Sequence, residues 1–394
     1  MKTRRIKTIL LFLSTMPFIG IYAQSIYYVS PHASSGGDGG PATPFHIIHE
    51  AVEKARKDKN CTTIYLREGE YFLDTPLVLT SADGNDSKEL IIRNYPGEKA
   101  IISSGITLDL KWEKYKNGIM RAAVKGNPVM DMLIVNGDLR SMARYPDYDK
   151  TAVRFNGTSA LATAPERVKK WKNPEGGYLH AMHSHDWGDF HYRITGKNEK
   201  GELQLEGGWQ NNRPMGIHPE NRMVENIFEE LDAPGEWYYD KQEGWLYYYP
   251  LSDENINELV FETPQLKNLI EIAGTSSHPV KNITIEGIEL TQTIRTFMEH
   301  YEPLLRSDWT IYRGGAVIFR GTEKCTLRDC YIHHVGGNGV FFDKYNRNSA
   351  VTGSYLTSIG ASAICFVGDV AGVRSPSFRY GEFVPLDKMD TAKG

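Results

Sequence analysis

The sequence predicts an all-β chain wound as a parallel β-helix and interrupted by a β-rich insertion. Two observations carry this. Three short apolar runs, Ala316–Phe319, Gly339–Phe342 and Ala363–Phe366, recur so that Val317 to Val340 is 23 residues and Val340 to Ile364 is 24. A second series runs between them: Leu327 to Val351 and Ile332 to Leu356 are each 24 residues. A repeat of this length marks a solenoid, in which one repeat buries its apolar face only against the next. Each run is short, rich in β-branched and aromatic residues, and broken by Gly, Asn or Ser, which suits a strand rather than a packed helix.

In chain order, residues 1–23 carry a basic start (Lys2, Arg4, Arg5, Lys7), an apolar Ile9–Phe18 and a cleavage site at Ile21-Tyr22-Ala23. The apolar run is too short to span a bilayer, so a signal peptide is expected, with export through the Sec route to the periplasm, outer surface or medium. Residues 24–107 read as the N-terminal cap and first coils. Ile26–Pro31 is a strand, Gly36–Pro44 a glycine-rich loop, and Phe45–Lys57 an amphipathic helix with Ile48, Ala51, Val52 and Ala55 on one face. Such a helix can cover the open end of a β-stack. Thr63–Leu66, Leu77–Leu79, Leu90–Asn94 and Ala100–Ile102 continue the stack.

No repeat is visible over 108–262, which reads as an inserted β-rich domain. Its β-like pieces include Met132–Val135, Leu203–Leu205 and Trp245–Tyr249, and Asn136-Gly137 is a hairpin signal. Coils resume over 263–369, where Asn282–Leu290 aligns with Lys324–Ile332 and Asn348–Leu356. Thr293–Arg313 is an extra loop of the kind that binds ligands. Residues 370–394 are irregular, and without a closing coil the end reads as truncated.

The net charge is −4, and more negative without the basic leader, which leaves no electrostatic case for nucleic acid. No later stretch is expected to span a membrane. Of the four cysteines, Cys325, Cys330 and Cys365 sit in or beside apolar rungs and are expected as buried thiols rather than disulfides.

Two groups of residues could carry chemistry. His180, His183, His185 and His191 crowd one stretch with Asp186, Trp187 and Asp189. No standard metal-ligand spacing is met, so no metal and no cofactor is assigned. A sugar-binding wall of His180, His183, Trp187 and His191 is the reading preferred. Asp343 and Asp369 follow successive rungs. If stacked, they would approach the ~5 Å carboxylate pair of retaining glycosidases, with one pKa pushed up by crowding. They could equally be turn residues. His334 could face the same groove, and Arg140, Arg144, Arg213, Arg295 and Arg374 are candidate clamps for acidic sugars.

Tyr28-Val29-Ser30-Pro31, Pro44-Phe45 and Thr63–Tyr71 resemble the start of secreted right-handed β-helix proteins of the pectin-lyase-like type. Asn136-Gly137 through Ala143-Arg144-Tyr145-Pro146, the His180–Arg193 segment, Leu231–Tyr238, His334–Gly337 and Phe366–Asp369 with Val373-Arg374-Ser375-Pro376 resemble glycoside hydrolases of family 141. That resemblance implies a right-handed helix and α-L-fucosidase or xylanase activity on plant polysaccharide. It also implies that the catalytic carboxylates lie in coils beyond Gly394, leaving Asp343 and Asp369 as groove residues at best; Arg144, His334 and Arg374 stay as candidate substrate contacts from residue type and position. A polysaccharide lyase and a non-catalytic glycan-binding solenoid remain as alternatives.

Overall fold

The computed structural model describes residues 24–211, 216–300, 302–303, 310–372 and 384–391. The expected signal peptide, Arg213 and Arg374 lie outside the described residues.

The described chain forms a right-handed parallel β-helix of three sheets. The first sheet stacks Gln24–Val29, Cys61–Leu66, Leu90–Asn94, Ile283–Glu286, Thr326–Arg328 and Ala350–Thr352. The second stacks Gly69–Phe72, Ala100–Ser103, Glu289–Thr293, Tyr331–Val335 and Tyr355–Leu356. The third stacks Leu77–Leu79, Ile270–Ala273, Val317–Glu323, Val340–Arg347 and Ile364–Val367. The expected register holds residue for residue: Val317 pairs Val340 and Val340 pairs Ile364, Leu327 pairs Val351, and Ile332 pairs Leu356.

Side chains alternate across each strand, so every second residue points inward. Ile64, Ile92, Ile285 and Leu327 line up from the first sheet, Ile102, Leu290 and Ile332 from the second, and Leu79, Ile272, Phe319 and Phe342 from the third. Each such burial contributes about 1.5–3 kcal/mol. The rings of Phe319, Phe342 and Phe366 stack at 4.6 and 4.3 Å. Cys325 and Cys330 fill core positions as free thiols.

The corners explain why Gly, Asn and Ser break the runs. Asn282, Lys324 and Asn348 occupy the left-handed region at one corner, Gly287, Asp329 and Gly353 at the next, and Gln292, His334 and Ser358 at the third. A chain can turn sharply there only with residues that tolerate a positive φ. The helix Ile48–Lys57 buries Ile48, Ala51, Val52 and Ala55 against the first coils, as its spacing requires.

The chain leaves the solenoid after Ala100–Ser103 and rejoins it at Ile270–Ala273, which pairs directly with Leu77–Leu79. The coil therefore closes in space across the insertion. Residues between carry three antiparallel sheets. One joins Asp138–Arg140, Leu133–Val135, Phe261–Pro264 and Gly105–Thr107; its first pair is the hairpin that Asn136-Gly137 closes. A second joins Trp237–Asp240, Trp245–Tyr248, Met120–Ala123 and Glu113–Lys114. The third joins Arg144–Tyr145, Ile217–Glu225, Tyr178–His183, Asp189–Lys197 and Leu203–Gly207. The loop after Glu289–Thr293 leaves from the same corner, so both excursions rise over the second face of the helix. Among the described residues no helix is long and apolar enough to cross a membrane.

Candidate functional site

The outward residues of the second sheet form two rows. One runs Glu70, Ile101, Glu289, Tyr331, Tyr355 and the other Phe72, Ser103, Thr291, His333. Above them lies the strand Phe261–Pro264, which places Glu262 over Gln292, whose Nε2 donates to Glu262 Oε2 at 3.2 Å. Gly105 makes this approach possible: a Cβ there would stand 1.7 Å from Gln292 Oε1. The result is a seam between the second helix face and the insertion, with the insertion's strand bonded directly to the face below.

Three carboxylates meet in it with unequal environments. Burial raises the Glu70 carboxyl above its ordinary range, and the nearby Glu262 charge raises it further. Burial likewise raises Glu262. Glu289 goes the other way. Burial opposes its ionisation, but Nε2–H of His333, 2.9 Å from Oε1, and Lys99 Nζ, 2.7 Å from Oε2, outweigh it and hold the carboxyl low. His333 Nδ1 lies 2.9 Å from His334 Nδ1. Burial lowers His334, as does its neighbour His333. His334 lies within the field of Asp138 on the insertion's hairpin. Groups whose environments push their pKa values apart are what acid/base chemistry requires.

The histidine segment builds something different. Tyr178–His183 and Asp189–Lys197 are antiparallel neighbours, with His180 opposite His191 and their Nδ1 atoms 2.7 Å apart. His180 Nε2 lies 3.1 Å from Glu225 Oε1, and Glu225 is ion-paired with Arg295. Arg295 Nε donates to Asp131 Oδ1 at 3.0 Å and its backbone N to Asp131 Oδ2 at 2.7 Å. Burial alone would raise Glu225, but Arg295 and then His180 hold it far below the usual range. Burial lowers His180 more than Glu225 raises it. The chain of charges ties the loop after Thr293 to the insertion. No group of three or more His, Cys, Asp or Glu among the described residues is arranged to hold a metal.

The remaining expectations resolve as follows. His180 and His183 are buried and do not form an open wall; only Trp187 is widely exposed, its ring parallel to that of His183 at 5.8 Å. The strand ends at His183, so His185 lies in the turn that follows. His191 is packed between Phe155 and Phe297. Arg144 is buried, and its guanidinium donates to the carbonyls of Pro146, Phe155 and Gly157, so it is spent on backbone rather than free for a sugar. Asp343 and Asp369 are not opposite one another: the register sets Val367 beside Asp343. Asp343 is buried between Arg313 Nη1, 2.5 Å from Oδ1, and Arg320 Nε, 2.6 Å from Oδ2. Asp369 accepts from Ala371 N at 3.0 Å, the turn role that competed with the catalytic one. Both Asp343 oxygens are thus held by guanidiniums, and Asp369 is not its partner.

Sequence reasoning missed Glu70, Glu262 and Glu289. It also missed Glu236, a buried carboxyl pushed up to about 8 by burial, then by Asp147 and Asp232, and met by the backbone N–H groups of Arg144, Asp232 and Ala233 at 3.3–3.4 Å.

The chain matches no protein-family model and no curated protein by sequence. Among solved structures it is similar to one described as a glycoside hydrolase, with TM-score 0.69 and 20% identity over 84% of this chain and 65% of that one. XylC in complex with xylose gives 0.40 and 14% over 80% and 41%. The GH136 lacto-N-biosidase from Eubacterium ramulus gives 0.30 and 10% over 85% and 34%. The chain spans about 65% of the length of the first of these, and what it shares with that structure is the fold, a parallel β-helix.

Proposed function

We propose that the chain is an exported carbohydrate-active protein of the glycoside hydrolase type, and that its glycan lies in the cleft between the second helix face and the insertion. The observation that carries this reading is the convergence of Glu70 and Glu262, both held toward the protonated form, with Glu289, held ionised. In this reading Glu262 or Glu70 gives its proton to the glycosidic oxygen as the C–O bond breaks. Glu289 supports attack on the anomeric carbon, directly or through water, and one water is consumed overall. The resemblance to family 141 supports fucoside or xylan linkages of plant cell walls as the first substrates to try.

The experiment is product analysis on plant polysaccharides with the parent chain, Glu262→Gln and Glu289→Gln. Saturated reducing sugars from the parent, lost in the variants, are expected. Unsaturated ends absorbing in the ultraviolet would replace hydrolysis by elimination. Full activity in both variants would move the chemistry out of this cleft.

A further inference from the structure

Hydrolysis needs a group that takes a proton as well as one that gives it. Glu70 and Glu262 are both held toward the protonated form. Glu289 is held ionised, but each of its oxygens already has a donor: His333 Nε2 lies 2.9 Å from Oε1 and Lys99 Nζ 2.7 Å from Oε2. The chain of contacts continues beyond His333. Its Nδ1 lies 2.9 Å from His334 Nδ1, with Thr291 Oγ1 further off at 3.4 Å. His333 Nε2 faces a carboxylate and so carries a hydrogen. In the neutral ring this leaves a lone pair on Nδ1, and the close approach of the second Nδ1 then requires a hydrogen on His334. The opposite nitrogen of His334, Nε2, keeps its lone pair. It has no hydrogen-bond partner among the described residues, and the ring is half-buried. The His333 ring stacks on Tyr331 at 4.3 Å and meets His334 edge-on at 4.7 Å. His334 takes a φ of 49° at the third corner, the place that Gln292 holds one rung earlier. Gln292 donates to Glu262, so His334 stands about 4.8 Å along the helix from the residue that binds a candidate proton donor. The charged groups that face His334 are His333 on its own strand, Glu289 on the next and Asp138 on the insertion's hairpin. Burial and His333 lower it more than the two carboxylates raise it, which keeps the ring neutral at neutral pH.

Taking the cleft as the glycan site, we infer that His334 Nε2 is the base that accepts a proton from the attacking water, and that His333 and Glu289 are positioning residues that fix its tautomer and stabilise the charge it acquires. The water oxygen bonds to the anomeric carbon as the glycosidic C–O bond breaks. One water proton goes to Nε2, and the leaving oxygen takes the proton of Glu262 or Glu70. Return of the His334 proton to that carboxylate closes the cycle, with one water consumed. A single displacement by water inverts the anomeric configuration.

The test uses the full chain. A long-range proton–nitrogen correlation spectrum of the histidine rings at neutral pH should show His334 with its hydrogen on Nδ1 and a bare Nε2, and His333 the reverse. On the polysaccharide that the parent hydrolyses, His334→Gly, which suits the positive φ at this corner, should lower kcat about 10²-fold or more with KM little changed. Added imidazole should restore part of that rate, as it would not for a histidine that only holds the fold. The base works unprotonated, so the parent's activity should fall with acid along a limb centred below 6.5, the ordinary histidine value. His333→Gln should move that limb rather than abolish it. Proton NMR of the parent's fresh product should show the inverted anomer. A hydrogen on His334 Nε2, undiminished hydrolysis in His334→Gly, a loss that imidazole leaves unrestored, or a retained anomer would overturn the inference and leave the hydrolase reading standing. No hydrolysis by the parent would sink both.

Discussion

Two places in this molecule bury acidic groups, and they treat the charge in opposite ways. At the junction of the insertion and the loop after Thr293, Glu225 and Asp131 share Arg295, so each carboxylate faces a cation. In the cleft, Glu70 and Glu262 lie near one another, Glu70 hydrogen-bonded to Ser103 and Glu262 to Gln292, and burial raises both. The first is an ion network that fixes one part of the chain to another. The second leaves two carboxyls that are costly to ionise, a pattern that functional sites often show. The burial of a carboxylate thus says little by itself, and what faces it decides whether it holds the fold or serves a ligand.

Substitutions that treat the two places alike should sharpen the contrast. The largest effect is expected in the cleft, on activity: Glu262→Gln should lower hydrolysis by roughly 10²–10⁴-fold while leaving the melting temperature unchanged or slightly raised. A large loss of stability in this variant would break the distinction. Next comes Arg295→Ala, which strands Glu225 and Asp131 without a cation and should cost about 3–5 kcal/mol. Denaturant unfolding would measure it, and a change below about 1 kcal/mol would show that the junction is no clamp.

Glu236 offers a pH test. Its folded pKa, about 8, lies above the ordinary carboxylate value of 4.5, so folding takes up its proton. Its contribution is therefore complete at acid pH and is lost as pH rises from about 4.5 to about 8, at up to about 1.4 kcal/mol per unit. Melts across that window should show the decline, and Glu236→Gln should flatten it. The smallest effect belongs to Asp369→Ala, a surface turn residue, within about 0.5 kcal/mol. The same change at Asp343, which would leave Arg313 and Arg320 facing a void, should cost several times more.

Much of the helix was legible because its period is written in one dimension. The 23- and 24-residue spacings are the rung lengths themselves, and Asn136-Gly137 fixes its own hairpin. The same arithmetic also carried a warning. A rung of 24 residues puts Val367, not Asp369, beside Asp343, so the spacing of 26 was already two residues out of register. The cleft was hidden for a different reason. Glu70, Glu262 and Glu289 are brought together only when the coil closes over an insertion that begins after one of them and ends near another. Glu289 was within reach, because the alignment of Leu290 with Ile332 already sets it beside Tyr331. Glu262 belongs to the insertion, which has no period to count. Burial of Arg144, His180 and His183 likewise depends on how the antiparallel sheets pack, and residue type alone does not report that.

The ends of the insertion are stitched together. Gln265 N donates to Ser104 O at 3.0 Å, Leu266 N to Ser104 Oγ at 3.1 Å, and Ser104 Oγ donates to Gln292 O at 2.5 Å. The solenoid therefore meets the excursion as a single closed gate, and its rungs carry no record of what passes through it. For folding, this is a cost: the strand Leu77–Leu79 finds its neighbour Ile270–Ala273 only after a long loop has closed. For descent with modification it is a freedom. A gene could lengthen, shorten or exchange the excursion at this stitch while the rungs keep their own pairing.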